Sequence, residues 1–415
     1  MRMRPGSAPD IILRAWRSPR VGRRGLMPSA NIYSMLAHPH RDLRAHLLEN
    51  QPGDREQMTE HILPDGGTNQ IKSAHCYLRG TSIRTARGDV PIETLRAGDS
   101  VMTACGEIRP IRWVGHRALN CRICPDPRDV WPIRIAAHAF GENLPDRDLY
   151  LSPGHAVRVS LIDSALVPIV HLLNSATIMR VAVDAVEYWH VELDSHDLLL
   201  ANNLPAESYL DRNNRDFFIE RGIRPHRPDA PVHPVLREGR MVELAREQLL
   251  SRAERLGWTW DTNPDPRLFI DGEEQQPTIV GDEVQFEFPA SAQTVRLMSK
   301  TFVPADRSGG VGDPRRLGLL IRSMELIDSQ GTAAIALDDP RLEFPYLVES
   351  NVEATWRWTD GELHLPKGLW SQCRGERIRL RLRIDASVPR GYLPPRSVRE
   401  APISLPAQEE CAAGD

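Results

Sequence analysis

Residues His75–Thr103 read HCYLRGTSIRTARGDVPIETLRAGDSVMT, and the rhythm of this stretch decides the fold. Short apolar runs alternate with turn signals. A turn falls at Arg87–Asp89, a second apolar run ends at a Gly98–Asp99 turn, and another strand begins at Ser100. Several short strands with close turns predict an all-β unit. The pattern continues through IRPIRWVG to about Phe218. Cys76 opens the first strand, where a lone cysteine is ordinarily a buried, inert side chain.

Working outward, the 415-residue chain is 41% hydrophobic and 26% charged, which suits a globular protein of two to four domains. No stretch approaches the ~18 apolar residues of a membrane span. The net charge of −4 announces no nucleic-acid-binding surface. Proline (34) exceeds glycine (28), so extended segments and turns outweigh long helices. Six cysteines in a chain of this length are too few for a disulfide framework.

Residues 1–74 are expected to be a largely disordered basic leader, with a short helix near Asp42–Glu49. The first 25 residues carry seven arginines and lack the apolar core of a secretory signal peptide. The alternative expectation for this stretch is a true start at Met27 or Met58. The expected location is cytoplasmic, or outside the cell by a non-classical route. A proline-rich linker is expected over 219–236, with Pro225, Pro228, Pro231 and Pro234.

Beyond it, 237–386 predicts a helix plus a β-sandwich. Met241, Ala245, Leu249, Ala253 and Leu256 share one helical face over Arg240–Leu256, and Gly257 stands at the position just past the end. Strand signals follow in RLFID, VQFEFP, TVRLMS, LGLLIRSMELID, TAAIAL and ATWRW. The clearest is RIRLRLRID, Arg377–Asp385, where Ile378, Leu380, Leu382 and Ile384 alternate with arginines. About seven strands in this span suggest a sandwich. Residues 387–415 are expected to be a disordered tail. The fold class is therefore mainly β, with one clear helix.

Cys76-x-x-x-Gly80-Thr81-x-Ile83, a glycine turn, and then Ile92-x-x-Leu95-x-x-Gly98-Asp99-x-Val101 resemble the first block of the Hint domain, the self-processing domain of inteins and hedgehog proteins. Leu151-Ser152-Pro153-Gly154-His155 resembles the second block, whose pattern is Thr-x-x-His. Trp189–Pro205, with His196 and the turn Ala201-Asn202-Asn203, resembles the penultimate block. The nearest likeness is to bacterial Hint domains that end in a segment like Leu204–Leu210, LPAESYL. The resemblance covers about 75–218 and implies a compact, pseudo-twofold β-horseshoe.

It also implies chemistry. Cys76 would attack the carbonyl of His75, so that the His75/Cys76 amide becomes a thioester by an N-to-S acyl shift. His155 would protonate the departing nitrogen, a task that suits a group titrating near neutrality. Ser152 would hold the scissile peptide or the oxyanion; the family usually has threonine there. His196 would brace the site or activate the resolving nucleophile. Glu207-Ser208 stands where inteins carry the asparagine that cyclises, so splicing is not expected. Water or a small external nucleophile would resolve the thioester. The implied substrate is the chain's own N-terminal segment, and no cofactor or metal is called for.

Other features have plainer readings. Cys121-Arg-Ile-Cys124 has zinc-knuckle spacing without a second pair, so two free thiols are expected. Trp356 and Trp358 fall on one strand face and are expected in a core rather than stacked on sugars. The arginine face of Arg377–Arg383 is expected to be solvated and paired with acidic neighbours. His190 reads as structural, and Asp194 and Asp197 as turn carboxylates. The competing function is an inert Hint scaffold whose C-terminal sandwich recognises a glycan or protein partner. No nucleic acid and no membrane span are expected.

Overall fold

The structure is a computed structural model, and it describes residues 75–161, 165–211, 215, 218–221, 231, 233–351 and 354–396. The expected leader, its short helix near 42–49 and the tail beyond 396 lie outside the described residues.

The described chain is mainly β with one α-helix. The first strands are β1 (Tyr77–Leu78), β2 (Ser82–Thr85), β3 (Gly88–Pro91), β4 (Ser100–Met102) and β5 (Ile108–Pro110). Next come β6 (Trp113–Asn120), β7 (Ile133–Ile135), β8 (Leu149–Leu151), β9 (Ala156–Arg158) and β10 (Leu166–Pro168). Then follow β11 (Ile178–Arg180), β12 (Ala185–Glu192), β13 (Leu198–Ala201), β14 (Leu204–Glu207) and β15 (Ile219–Arg221). One sheet runs β11-β7-β8-β1-β12-β6-β15. The other runs β10-β9-β14-β13-β2-β4-β5, with β3 beside β2.

The two sheets share a core. Tyr77, Val114, Ile135, Leu151 and Trp189 from the first meet Ile83, Val101, Val157, Leu199 and Leu204 from the second. Burying each such side chain stabilises by about 1.5–3 kcal/mol over exposure. Side chains alternate along a strand, so β1 sends Tyr77 into this core and Leu78 to the other face. There Cys76 and Leu78 join Trp113, Cys121, Tyr188 and Tyr209. The β13–β14 hairpin turns on Asn202 and Asn203, both at positive φ (43° and 67°), as a two-residue turn matched to strand twist requires. The Asn202 side chain accepts from the Ser82 N–H (2.8 Å) and donates to the Asp148 carbonyl (2.9 Å), tying the turn to β2 and β8.

The expected linker is structured at both ends. Ile219–Arg221 pairs with β6. The Leu166 N–H donates to the Pro234 carbonyl (2.9 Å), and the Leu236 N–H to the Leu166 carbonyl (2.8 Å). Extended backbone around these prolines can add to a sheet edge, which composition alone does not reveal.

Helix α1 spans Arg240–Arg255. Gly257 has φ +89°, the Gly257 N–H donates to the Glu254 carbonyl and the Trp258 N–H to the Ala253 carbonyl. This pair of bonds is the Schellman ending that a glycine past the last turn permits. Val242, Ala245, Leu249 and Ala253 are buried, whereas Met241 is exposed, so the buried face is rotated from the expected one. Val242, Ala245 and Leu249 enter the core of the first two sheets.

The C-terminal strands form a sandwich. One sheet runs Thr278–Val280, Glu283–Pro289, Arg377–Ile384, Leu320–Ile327, Thr355–Trp358 and Glu349–Ser350, with Thr332–Ile335 beside Leu320–Ile327. The facing sheet runs Glu273–Gln275, Arg267–Ile270, Val295–Met298 and Glu362–Leu365. Ile378, Leu380, Leu382 and Ile384 are buried with Leu268, Leu297 and Leu363. The alternating arginines pair outward with acidic neighbours: Arg379 with Glu287 and Arg383 with Asp282. Trp356 and Trp358 are buried with Phe302, Leu317 and Leu320. The tail expected from 387 does not start there, because Gly391–Leu393 pairs with Thr259–Asp261 and the Tyr392 ring packs on Trp260 at 4.0 Å.

Candidate active site

Strand β8 lies beside β1 through Tyr77 and Leu151, and the turn after β8 wraps the start of β1. The Ser152 N–H donates to the Cys76 carbonyl (2.9 Å). The Cys76 N–H donates to Ser152 Oγ (2.7 Å). One serine thus grips residue 76 from both sides, and the amide held by its hydroxyl is the His75/Cys76 peptide. The His155 N–H donates to the Ser152 carbonyl (3.1 Å), closing the turn. This turn brings the His155 ring edge-on to Tyr77, with centroids 4.2 Å apart.

His155 is fully buried, and neither ring nitrogen completes a hydrogen bond among the described residues. Burial pushes its pKa down to about 4; Glu207 and the backbone of His75 and Cys76 pull the other way, while the His75 ring adds to the depression. The imidazole is therefore neutral at neutral pH. The backbone of His75 and Cys76, the peptide that Ser152 holds, interacts with this ring. Cys76 is 1% exposed, and burial drives its thiol far above the ordinary range, with Arg117 opposing and Glu207 adding to the rise. The resting sulfur is a thiol, not a thiolate.

His196 is buried, with Nε2 3.6 Å from Glu207 Oε2. His190, expected to be structural, lies within the cluster: its ring is 5.5 Å from His155 and 5.0 Å from Tyr209. Asp194 and Asp197 face Arg109. Cys121 is buried and Cys124 half-buried, both as free thiols. Burial, and then Cys124, pushes the Cys121 thiol up to about 11. No cluster of metal-ligating side chains among the described residues includes this pair.

In the sequence Glu207 reads only as a replacement for an asparagine, and the structure makes it the hub of the cluster. Its Oε1 accepts from His75 Nδ1 (2.7 Å) and from the Ala156 N–H (2.7 Å). Its carbonyl accepts from the Tyr77 hydroxyl (2.8 Å). Burial alone would raise the carboxyl; the charge of His75 and the contacts from His196 and His75 overcome it and hold Glu207 well below the usual carboxylate range. A carboxylate inside the otherwise apolar strand LPAE is the sequence signal, because buried acids need partners. Those partners lie in distant segments, so the strand itself does not name them.

Beside His75 opens a cleft of about 260 Å³, whose wall includes Pro153, Arg128, Asp129, Arg180 and Arg237. Among the described residues, no helix is long and apolar enough to cross a membrane.

The family described as "Hint domain" matches residues 75–213. Two solved structures are similar over about a third of the chain. The bacterial intein-like domain from Clostridium thermocellum is 17% identical, with 33% of this chain and 100% of that chain covered and a TM-score of 0.24. The MchDnaB-1 intein is 15% identical, with 31% and 98% covered and a TM-score of 0.19. A search of the curated proteins found no match. Residues 75–213, with their two sheets and the block residues gathered at the start of β1, are a Hint domain.

Proposed function

We propose that this chain cleaves itself once, at the His75/Cys76 bond, without splicing. The observation that carries this reading is the grip of Ser152 on the Cys76 amide beside a buried, neutral His155 whose ring meets the His75 and Cys76 backbone without completing a well-formed hydrogen bond. In the first step Cys76 Sγ bonds to the His75 carbonyl carbon and the C–N bond to Cys76 breaks. The thiol proton must leave sulfur, and a proton must arrive on the nitrogen. His155 accepts the first and supplies the second, the work of a positioned general acid–base group. A thioester lies uphill of an amide, so the site must favour the tetrahedral intermediate through preorganised contacts. Ser152 fixes the amide for attack. Glu207 holds His75, the acyl residue, and His196 braces Glu207.

The thioester is then resolved by water or by an external nucleophile, releasing residues 1–75. Glu207 is ionised and engaged with His75 and the Ala156 N–H. It offers no side-chain amide to cyclise against the Ser208 peptide, so the chain beyond stays attached. The test is intact mass of the freshly made wild type beside Cys76→Ala, with and without added thiol. Fragments beginning at Cys76 in the wild type alone, more abundant with thiol, are the expected result. Cleavage that persists in Cys76→Ala overturns the reading. An uncleaved wild type favours the inert-scaffold alternative.

A further inference from the structure

The cleft of about 260 Å³ that His75 borders has a basic wall: Arg128, Arg180 and Arg237 against Asp129. Two of these arginines are already engaged. Asp306, reaching over from the C-terminal part of the chain, lies 2.7 Å from Arg128 and 3.5 Å from Arg180. Arg237 is exposed and has no carboxylate partner among the described residues. Its charge is felt in the cleft: His171 is pushed down first by burial and next by Arg237.

Water needs no such wall, and a purely apolar acceptor would be disfavoured by it. We propose that the cleft is the acceptor site and that it admits a nucleophile carrying an anionic group, a carboxylate, sulfonate or phosphate, which Arg237 recognises. This inference rests on the thioester reading above. The acceptor's nucleophilic atom bonds to the His75 carbonyl carbon, the C–S bond to Cys76 breaks, and the acceptor's proton ends on the Cys76 sulfur. Guanidinium groups suit such anions because their donors match planar oxyanions.

Three small thiols separate the possibilities: 2-mercaptoethanesulfonate (anionic), 2-mercaptoethanol (neutral) and cysteamine (cationic). The full chain is synthesised in a phosphine-reduced, thiol-free translation mixture supplemented with each at matched thiolate concentration. The mass of the released 1–75 segment reports the adduct. The anionic thiol is expected to be captured about fivefold more than the cationic one, the ratio that a partly exposed ion pair supports. That preference should fall below about twofold in Arg237→Gln, and likewise in about 1 M salt, where charges are screened within roughly 3 Å. Equal capture of all three thiols, or a preference unchanged in Arg237→Gln, overturns this inference alone. No adduct with any thiol overturns the thioester reading, and this inference with it.

Discussion

His75 Nδ1 and Glu207 Oε1 are 2.7 Å apart although 132 positions separate them. The contact ties the residue on the acyl side of the candidate scissile bond to β14. The same carboxylate oxygen takes the Ala156 N–H, one residue past His155. Three of the segments that carry Hint-block residues therefore converge on one buried carboxylate.

Glu207→Gln keeps the shape and removes the charge. The amide can still accept from the Ala156 N–H, but the hydrogen bond from His75 loses its charged acceptor. Self-cleavage should slow by roughly ten- to hundredfold, the cost of a small misplacement of reacting groups. Stability should fall by about 1–3 kcal/mol. Time-resolved intact mass and urea unfolding of the Cys76→Ala background check the two effects separately. An unchanged cleavage rate would remove Glu207 from the positioning role.

Ser152→Ala leaves the buried Cys76 N–H without its side-chain acceptor, which costs about 1–3 kcal/mol. It should also slow cleavage, because the amide is no longer held. Ser152→Thr restores the hydroxyl and should retain most of the rate. If alanine and threonine behave alike, the hydroxyl is not what matters.

Much of this was legible in the sequence for local reasons. Turn pairs such as Gly98–Asp99 bound short strands, and strict alternation over Arg377–Ile384 fixes which face is buried. Gly257 marks the helix end because few other residues accept its backbone conformation. Cys76, Ser152 and His155 could be named because each sits in a recognisable block. What stayed hidden depends on distant partners. Glu207 reads as a strand acid until His75 and Ala156 are placed against it. Gly391–Leu393 becomes a strand only because Thr259–Asp261 is there to pair with it. Helical periodicity did not separate Met241 from Val242, since neighbouring apolar residues compete for the edge of one face.

Gly309 should tolerate no side chain. Its φ is +66°, and a Cβ there would lie 2.4 Å from the His171 carbonyl oxygen. Its N–H donates to the Leu173 carbonyl (3.1 Å), joining the loop of Asp306 to the turn after β10. Gly309→Ala must therefore shift backbone and weaken this contact, at a cost of about 1–3 kcal/mol for a strained position. Hydrogen exchange at the Gly309 and Gly310 amides should accelerate in the variant. Unaltered exchange would show that the loop adapts freely.

His155→Leu gives the sharpest separation of chemistry from folding. A buried imidazole that completes no well-formed hydrogen bond is a poor structural element, since poorly paired polar groups cost free energy in a dry interior. Cleavage in His155→Leu should fall by at least about a hundredfold, the lower end of a general acid–base contribution. Stability at pH 7 should be equal to the wild type or higher. The pH profile fixes the cause. His155 is held at about 4 against an ordinary 6.5, so the unfolded chain binds its proton first as pH falls. The neutral form's full stability is present above pH 6.5. It is lost progressively as pH falls to 4, by about 3 kcal/mol for this group. His190, also depressed by burial and by its neighbour His155, acts in the same direction and remains in the variant. Glu207 is held far below its ordinary range, so it stays ionised and contributes little in this window. Urea unfolding between pH 7 and 4.5, in the Cys76→Ala background, should therefore give a shallower decline for His155→Leu than for His155. Parallel profiles, or a variant that is markedly less stable at pH 7, would mean that His155 is held for packing and not for proton transfer.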